Sequence, residues 1–358
     1  MKARVLIWML MFVWFVPHVE AGESDSTRNT ILNVFPILMF DSDIGFGFGG
    51  KGMVTNLFHK NESLDLTMFG STKGEQWIAF TFSLPDFELR QGTVYPLALD
   101  IKLEYDKYLK SNFFGIGNDS RNNKLQFPNE FTKLDIALCR AFSRTFIGEL
   151  HYRFTHYSAY DFDTAWNTIT PLTLGAGETD VSVLSPRIRY DTRNSFINPS
   201  SGIKADLQGE VSLKGFLTDW DFWKVRLEFS AYQSLFNERH VLAYRFWTQH
   251  LNGSAPYQEL SKIGNSWTGR GYKMDRFLDN AMALTSLEYR FRFWGRLGAV
   301  LFTDIGRVWP SIGKFSLKDW HSDVGWGLRV YLTNFVVRFD MGFSNEGTRV
   351  FFQFGQVF

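Results

Sequence analysis

The sequence predicts an all-β protein, a transmembrane antiparallel β-barrel of about 14 to 16 strands. Three observations carry this. Apolar and polar residues alternate with period two in stretch after stretch from Leu64 to the last residue. The chain is 45% apolar and 17% aromatic, with 37 Phe, 13 Tyr and 12 Trp, yet these residues are interleaved with polar ones. An export signal opens the chain, and nothing after it approaches the run of about 18 apolar residues that a spanning helix needs. In lipid every backbone N–H and C=O must be paired, and a closed barrel does this without helices.

Residues 1–21 have the layout of a secretory signal peptide. Lys2 and Arg4 form its charged start, and Val5 to Val16 is an apolar run that is short for a spanning helix. Val19-Glu20-Ala21 places small residues at the cleavage-defining positions, so Gly22 is the expected mature start. An uncleaved anchor helix is the alternative. Residues 22–30 form a short periplasmic segment, too short for a domain, and residues 31–358 form the barrel. Cys139 is the single cysteine, which excludes an intrachain disulfide framework, and a net charge of +1 gives no push toward nucleic acid.

Ile31 to Phe40 is the first strand. Pro36 lies inside it, and proline cannot donate to a ladder, so the seam that closes the barrel is expected to pair poorly around Phe35 and Pro36. Asp41-Ser42-Asp43 turns the chain. Gly45, Gly47 and Gly50 match a dinucleotide-loop spacing, but Phe46 and Phe48 alternate with the glycines and no helix follows, so a strand with a bare inner face is expected instead. Leu97, Leu99, Ile101, Leu103 and Tyr105 oppose Asp100, Lys102, Glu104 and Asp106. Trp223, Val225, Leu227 and Phe229 oppose Lys224, Arg226, Glu228 and Ser230. Charges of both signs on the second face fit lipid outside and a wet lumen inside. A soluble β-sandwich also alternates, but its strands are usually shorter. Asn194 to Gly202 reads as a turn, and 155–180 and 249–280 as long connections. The amphipathic stretch Phe351–Phe358 supplies the far side of the seam, with Phe354 and Phe358.

Trp267-Thr268-Gly269-Arg270-Gly271-Tyr272 sits in the second long connection. The two strands after it each place an acid on the polar face, Glu288 and Asp304. The pattern suggests a cation folded back into the barrel and met there by carboxylates.

Several phrases of the sequence together resemble the BamA/TamA superfamily, the bacterial surface antigen barrel. They are Ser185-Pro186-Arg187-Ile188-Arg189-Tyr190-Asp191-Thr192-Arg193-Asn194 with Asn198-Pro199-Ser200-Ser201-Gly202; Arg270-Gly271-Tyr272; Leu287-Glu288-Tyr289-Arg290-Phe291; Phe302-Thr303-Asp304-Ile305-Gly306-Arg307-Val308-Trp309; Gly325-Trp326-Gly327-Leu328-Arg329; Arg338-Phe339-Asp340-Met341-Gly342; and Asn112–Asn118. The resemblance implies 16 strands, a weak seam between the first and last, and a sixth extracellular loop folded into the lumen, with Arg270 contacting Glu288 and Asp304. It departs from typical members in having no POTRA or patatin-like domain ahead of the barrel, which puts their client-receiving role in doubt here.

No enzyme is expected. The chain has no Gly-x-Ser-x-Gly elbow and no His-Glu-x-x-His, and its seven His lack ligand spacing, so neither metal nor cofactor is expected. His151 and His156 read as lumen or surface residues. The expected location is the bacterial outer membrane. The expected function is aiding insertion or translocation of protein or lipid clients through the weak seam. The partners are outer-membrane lipid and lipopolysaccharide, with unfolded protein clients or a separate periplasmic partner. The alternative is a passive pore or a structural barrel without clients, homodimeric through its seam.

Overall fold

A computed structural model describes residues 29–358 except 123, 162–174 and 334. The expected signal peptide at 1–21, and the expected short segment at 22–30 apart from Asn29 and Thr30, lie outside the described residues. The strands are β1 (Ile31–Asp41), β2 (Gly45–Thr55), β3 (Ser63–Ser71), β4 (Gln76–Leu84), β5 (Ala98–Phe113), β6 (Leu125–Ala141), β7 (Phe146–Ala159), β8 (Gly177–Asp191) and β9 (Gly202–Ser212). They continue as β10 (Asp221–Ser234), β11 (His240–Ser254), β12 (Ser261–Ile263), β13 (Phe277–Asp279), β14 (Ala281–Trp294), β15 (Leu297–Trp309), β16 (His321–Tyr331), β17 (Val336–Ser344) and β18 (Gly347–Phe354). Sixteen of them close one antiparallel barrel in chain order, while β12 and β13 pair separately as a small hairpin between β11 and β14.

The face assignments follow from pairing alternation. Leu66, Met68, Leu103, Leu207, Trp223 and Leu301 are exposed on the outside, where lipid covers them. Glu104, Asp106, Asp206, Lys224, Glu288 and Asp304 are buried in the lumen. Phe46 and Phe48 point outward, while Gly47 leaves room for the inward ring of Phe69. The strands flanking the closure are short: β17 has 9 residues, β18 has 8, β1 and β2 have 11, and β3 and β4 have 9. The opposite wall is taller, with 16 residues in β5, 17 in β6 and 15 in β8.

Two connections are shorter than the sequence suggests. Strand continues through Thr155–Ala159 and Gly177–Asp180, and through Gln249–Ser254. These extensions pair beyond the lipid belt, where a ladder needs no apolar face and leaves no period-two trace. By the rule for outer-membrane barrels, the end with the longer loops is extracellular and the other end periplasmic. The β11–β14 connection is then the sixth extracellular loop.

Candidate functional site: the inward loop and the barrel closure

Loop six re-enters the barrel because glycines let it. Gly269 adopts a left-handed φ of +71°. A Cβ on Gly342 of β17 would collide with the backbone of Arg270 and lie 2.9 Å from the Gly271 nitrogen. A Cβ on Gly271 would lie 2.5 Å from that of Asp323. The loop backbone therefore lies flat against β16 and β17, and Arg270 is fully buried.

Arg270 donates from Nε to Asp304 Oδ2 at 2.8 Å and from Nη2 to Oδ1 at 3.1 Å, a two-bond fork. Its Nη1 donates to Glu288 Oε1 at 2.5 Å, and its backbone N–H to Asp304 Oδ2 at 3.2 Å. The guanidinium carbon stands 3.5 Å from the ring centroid of Phe302. Burial opposes its charge, but Asp304 and Glu288 outweigh that and hold its pKa above the ordinary arginine value. Asp340 links this hub to Arg329 and Arg338, at 2.6 and 3.1 Å, and Arg290 Nε donates to Glu288 at 2.8 Å. Buried charges are costly unless paired and hydrogen-bonded, and here each carboxylate bridges two arginines or receives a fork. Tyr272 donates to the Ser322 carbonyl at 3.0 Å and packs edge-on against Phe277. The structure thus brings together Arg270, Glu288 and Asp304, with Gly271 and Tyr272 at the rim of the same hub.

A second anchor escaped the sequence reading. Glu259, in the helical turn Tyr257–Glu259 of loop six, is buried and accepts from Arg153 Nη1 and Nη2 at 2.7 and 2.9 Å, Lys224 Nζ at 2.8 Å and Tyr157 Oη at 2.9 Å. These donors lie on β7 and β10, so loop six spans the lumen between two walls. Burial works against the charged form, but Arg153 and Lys224 hold the Glu259 carboxyl well below the usual range. The polar positions were legible on each strand, but their convergence was not. The Asn112–Asn118 phrase proves to be a clasp: Gly117 N–H donates to Leu278 of loop six at 2.7 Å, and Asn112 Nδ2 to the Met274 carbonyl at 3.4 Å. In the Asp191–Gly202 turn, Asn194 Oδ1 accepts from the Ser200 and Ser201 N–H groups. His151 lies between Asp135 and Glu149, and His156 contacts Asp180. Among the described residues no group of three or more His, Cys, Asp and Glu is placed to hold a metal ion.

The closure differs from the sequence reading in its details. β1 pairs with β2 along its whole length, from Ile31↔Thr55 to Asp41↔Gly45. With β18 it pairs only at Phe40↔Phe352 and Asp41↔Phe351. Above these, Ser42 exchanges bonds with Val350, and Arg349 pairs with Asp43 at 2.5 Å. Phe35 and Pro36 lie on the stretch of β1 without a partner on the β18 side. Phe354 pairs with Val337 of β17, not with β1. Phe358 is not a seam residue: the chain leaves β18 at Gly355, φ +85°, and turns into the lumen. There Phe358 packs on Tyr232, with Arg245 and Arg290 each 5.1 Å from its ring centroid. Arg290 Nη2 also donates to its carbonyl at 2.9 Å. The ring thus sits among cationic and aromatic partners in the lumen and not on the strand ladder.

Comparison with known proteins places the chain. Residues 56–358 match the model of the Omp85 superfamily domain. The outer membrane protein assembly factor BamA of Nitratidesulfovibrio vulgaris is 28% identical over 296 residues, which cover 76% of this chain and 34% of that protein. The chain thus spans about a third of the length of that curated relative. Among solved structures, BamA from Haemophilus ducreyi lacking POTRA domains 1-3 superposes with a TM-score of 0.66 at 15% identity, covering 91% of this chain and 70% of that one. CdiB from Escherichia coli gives a TM-score of 0.62 at 12% identity, covering 90% of this chain and 62% of that one. CdiB from Acinetobacter baumannii gives 0.57 at 11% identity, with 92% and 65% covered. The closed antiparallel barrel, its lipid-facing belt and the match over residues 56–358 together identify an outer-membrane β-barrel protein that belongs to the Omp85 superfamily.

Proposed function

We propose that this barrel aids the insertion or translocation of protein clients at the outer membrane, acting through its closure and gated by loop six, without enzymatic chemistry. The observation that carries the proposal is the two-residue pairing of β1 with β18. It leaves Ile31–Met39 as an edge whose backbone groups are free to template an incoming client strand by β-augmentation. The strands beside it are shorter than those of the β5–β8 wall, and a wall shorter than the hydrocarbon layer favours a thinned bilayer where a client would enter. Arg270, with Glu288 and Asp304, fixes loop six against β14, β15 and β17, and so sets the state of the wall that ends in the closure. The assembly role in the name of the Nitratidesulfovibrio relative agrees with this reading. A passive pore fits less well, because loop six crosses the lumen between the Arg270 and Glu259 anchors.

The test is photo-crosslinking in cells from a probe at Phe35, followed by mass spectrometry. Unfolded outer-membrane proteins, or a periplasmic escort carrying them, are the expected products. Recovery of only a second copy of the chain, or of only lipid or lipopolysaccharide, would replace client handling with a structural dimer or a lipid-handling barrel.

A further inference from the structure

Two connections at the periplasmic end are built inside out. In the β2–β3 turn, Glu62 is buried and its carboxylate accepts the N–H groups of Phe58 and Lys60 at 2.5 and 2.9 Å. In the β4–β5 connection, Asp86 is buried and caps the single helical turn Phe87–Arg90, accepting from the N–H groups of Glu88 and Leu89. Arg90 is buried as well and points inward, with Nη2 2.6 and 2.9 Å from the two oxygens of Asp100. The two connections are joined, because Asp86 N–H donates to the Asn61 carbonyl at 2.6 Å. Polar groups thus form the inside of the unit.

Its outside is largely apolar, with Lys60 and Glu88 the exposed charges on it. Leu57, Phe58, Phe87, Leu89, Val94 and Leu97 are all exposed, Phe58 and Val94 by 62%, more than the lipid-facing Met68 at 54%. A turn in water does the reverse, and a contiguous exposed apolar patch marks an interaction surface. The patch continues the lipid belt. Leu97 lies two residues before Leu99, which pairs with Leu84 on the same outer face of β4 and β5. Above them Phe82 pairs with Ile101 and Phe80 with Leu103. Continuity with the lipid-covered face identifies the occupant.

We propose that the joined β2–β3 and β4–β5 connections form an interfacial anchor, seated in the headgroup–acyl boundary of the periplasmic leaflet and occupied there by phospholipid. A ledge that turns its apolar side chains outward, holds Glu62, Asp86 and Arg90 inward and leaves Lys60 and Glu88 exposed among headgroups partitions into that boundary as an amphipathic interfacial helix does. It lies below the short wall and next to the start of β1, where Thr30 Oγ1 donates to the Asn56 carbonyl at 3.1 Å. It therefore fixes the depth of the wall that carries the closure. The anchor does not depend on client handling.

The experiment uses the full chain with Cys139→Ala, refolded into phosphatidylethanolamine–phosphatidylglycerol vesicles. Phe58→Cys, Leu89→Cys and, as an aqueous control in the β6–β7 turn, Arg144→Cys each carry the fluorophore NBD. Folding is verified by heat-modifiable gel mobility, so each labelled variant is scored only when folded. Probes at 58 and 89 are expected to emit to the blue of the probe at 144. Quenching by doxyl-labelled acyl chains should be several-fold stronger, and quenching by iodide several-fold weaker. Equal quenching by iodide at all three positions would place the ledge in water and overturn the proposal. Shielding from iodide without doxyl quenching would overturn it too, because protein rather than lipid would then cover the ledge.

Discussion

Arg270 and Asp304 meet through three hydrogen bonds, from Nε, Nη2 and the backbone N–H of the arginine, with both residues sealed from solvent. Removing one member of a buried pair strands the other, at a cost of about 3–5 kcal/mol. Arg270→Ala should therefore lower the unfolding temperature of the heat-modifiable barrel and open loop six to protease. Glu288 keeps Arg290 as a partner, so the loss should concentrate on Asp304. Arg270→Lys keeps the charge but cannot serve Asp304 with two parallel bonds while reaching Glu288, and should rescue only part of the loss. Unchanged melting and protease resistance in Arg270→Ala would show that the hub does not hold the loop.

The hub depends on backbone proximity as much as on charge. A side chain at Gly342 would occupy the space of the Arg270 carbonyl. Gly342→Val should therefore raise loop-six protease sensitivity with every charge intact, at about the 1–3 kcal/mol typical of overpacking. Gly52, whose Cβ would meet nothing within 4 Å, is the comparison site, and Gly52→Ala should leave the loop closed.

The contrast between these residues and the second anchor shows what the sequence discloses. Strand faces were legible because alternation is local, and lipid on one side makes it strict. Arg270, Glu288 and Asp304 were legible for the same reason: an acid on the inner face of a strand after an arginine-bearing loop has few places to go. Glu259 was not legible, because its donors come from Arg153 and Lys224, on strands distant in the chain, and no spacing encodes that meeting. The inward turn of Phe358 left only Gly355 as a trace, while the terminal aromatic suggested a strand end. Pro36 lies on the stretch of β1 that pairs with β2 but not with β18, and the pairs that do close the barrel lie at Phe40 and Asp41.

Glu259 supplies a pH dependence with a defined sign. Its carboxyl is held below the ordinary range when the loop is seated, and it returns toward about 4.3 when the loop is released. A depressed acid contributes stability that is complete above the released value and declines as pH falls from there through the seated one. Loop-six protease resistance should therefore be flat at neutral pH and fall under acid conditions. In Glu259→Gln it should be lower at neutral pH and less dependent on acid. Parallel pH profiles for the two proteins would remove Glu259 from the anchor.

The last residues and the closure are alternatives for the same chain. Carrying the Phe40↔Phe352 register onward would set Leu38 opposite Phe354, Pro36 opposite Gln356 and Val34 opposite Phe358. Instead Gly355 turns the chain inward, Arg329 donates to Gln356 at 3.1 Å, and Arg245 and Arg290 flank the Phe358 ring. Such cation–ring contacts are worth about 0.5–2 kcal/mol each. Phe358→Ala should weaken this hold and let β18 extend along β1. The reporter is a Leu38→Cys, Phe354→Cys pair in the Cys139→Ala background, oxidised in the folded barrel and followed on gels. These positions should cross-link slowly with Phe358 in place and several-fold faster in Phe358→Ala. Pro36→Ala, which restores a backbone donor to β1, should add to that rate. Equal rates with and without the ring would mean that the inward tail does not limit the seam, and that the short pairing is set by β1 alone.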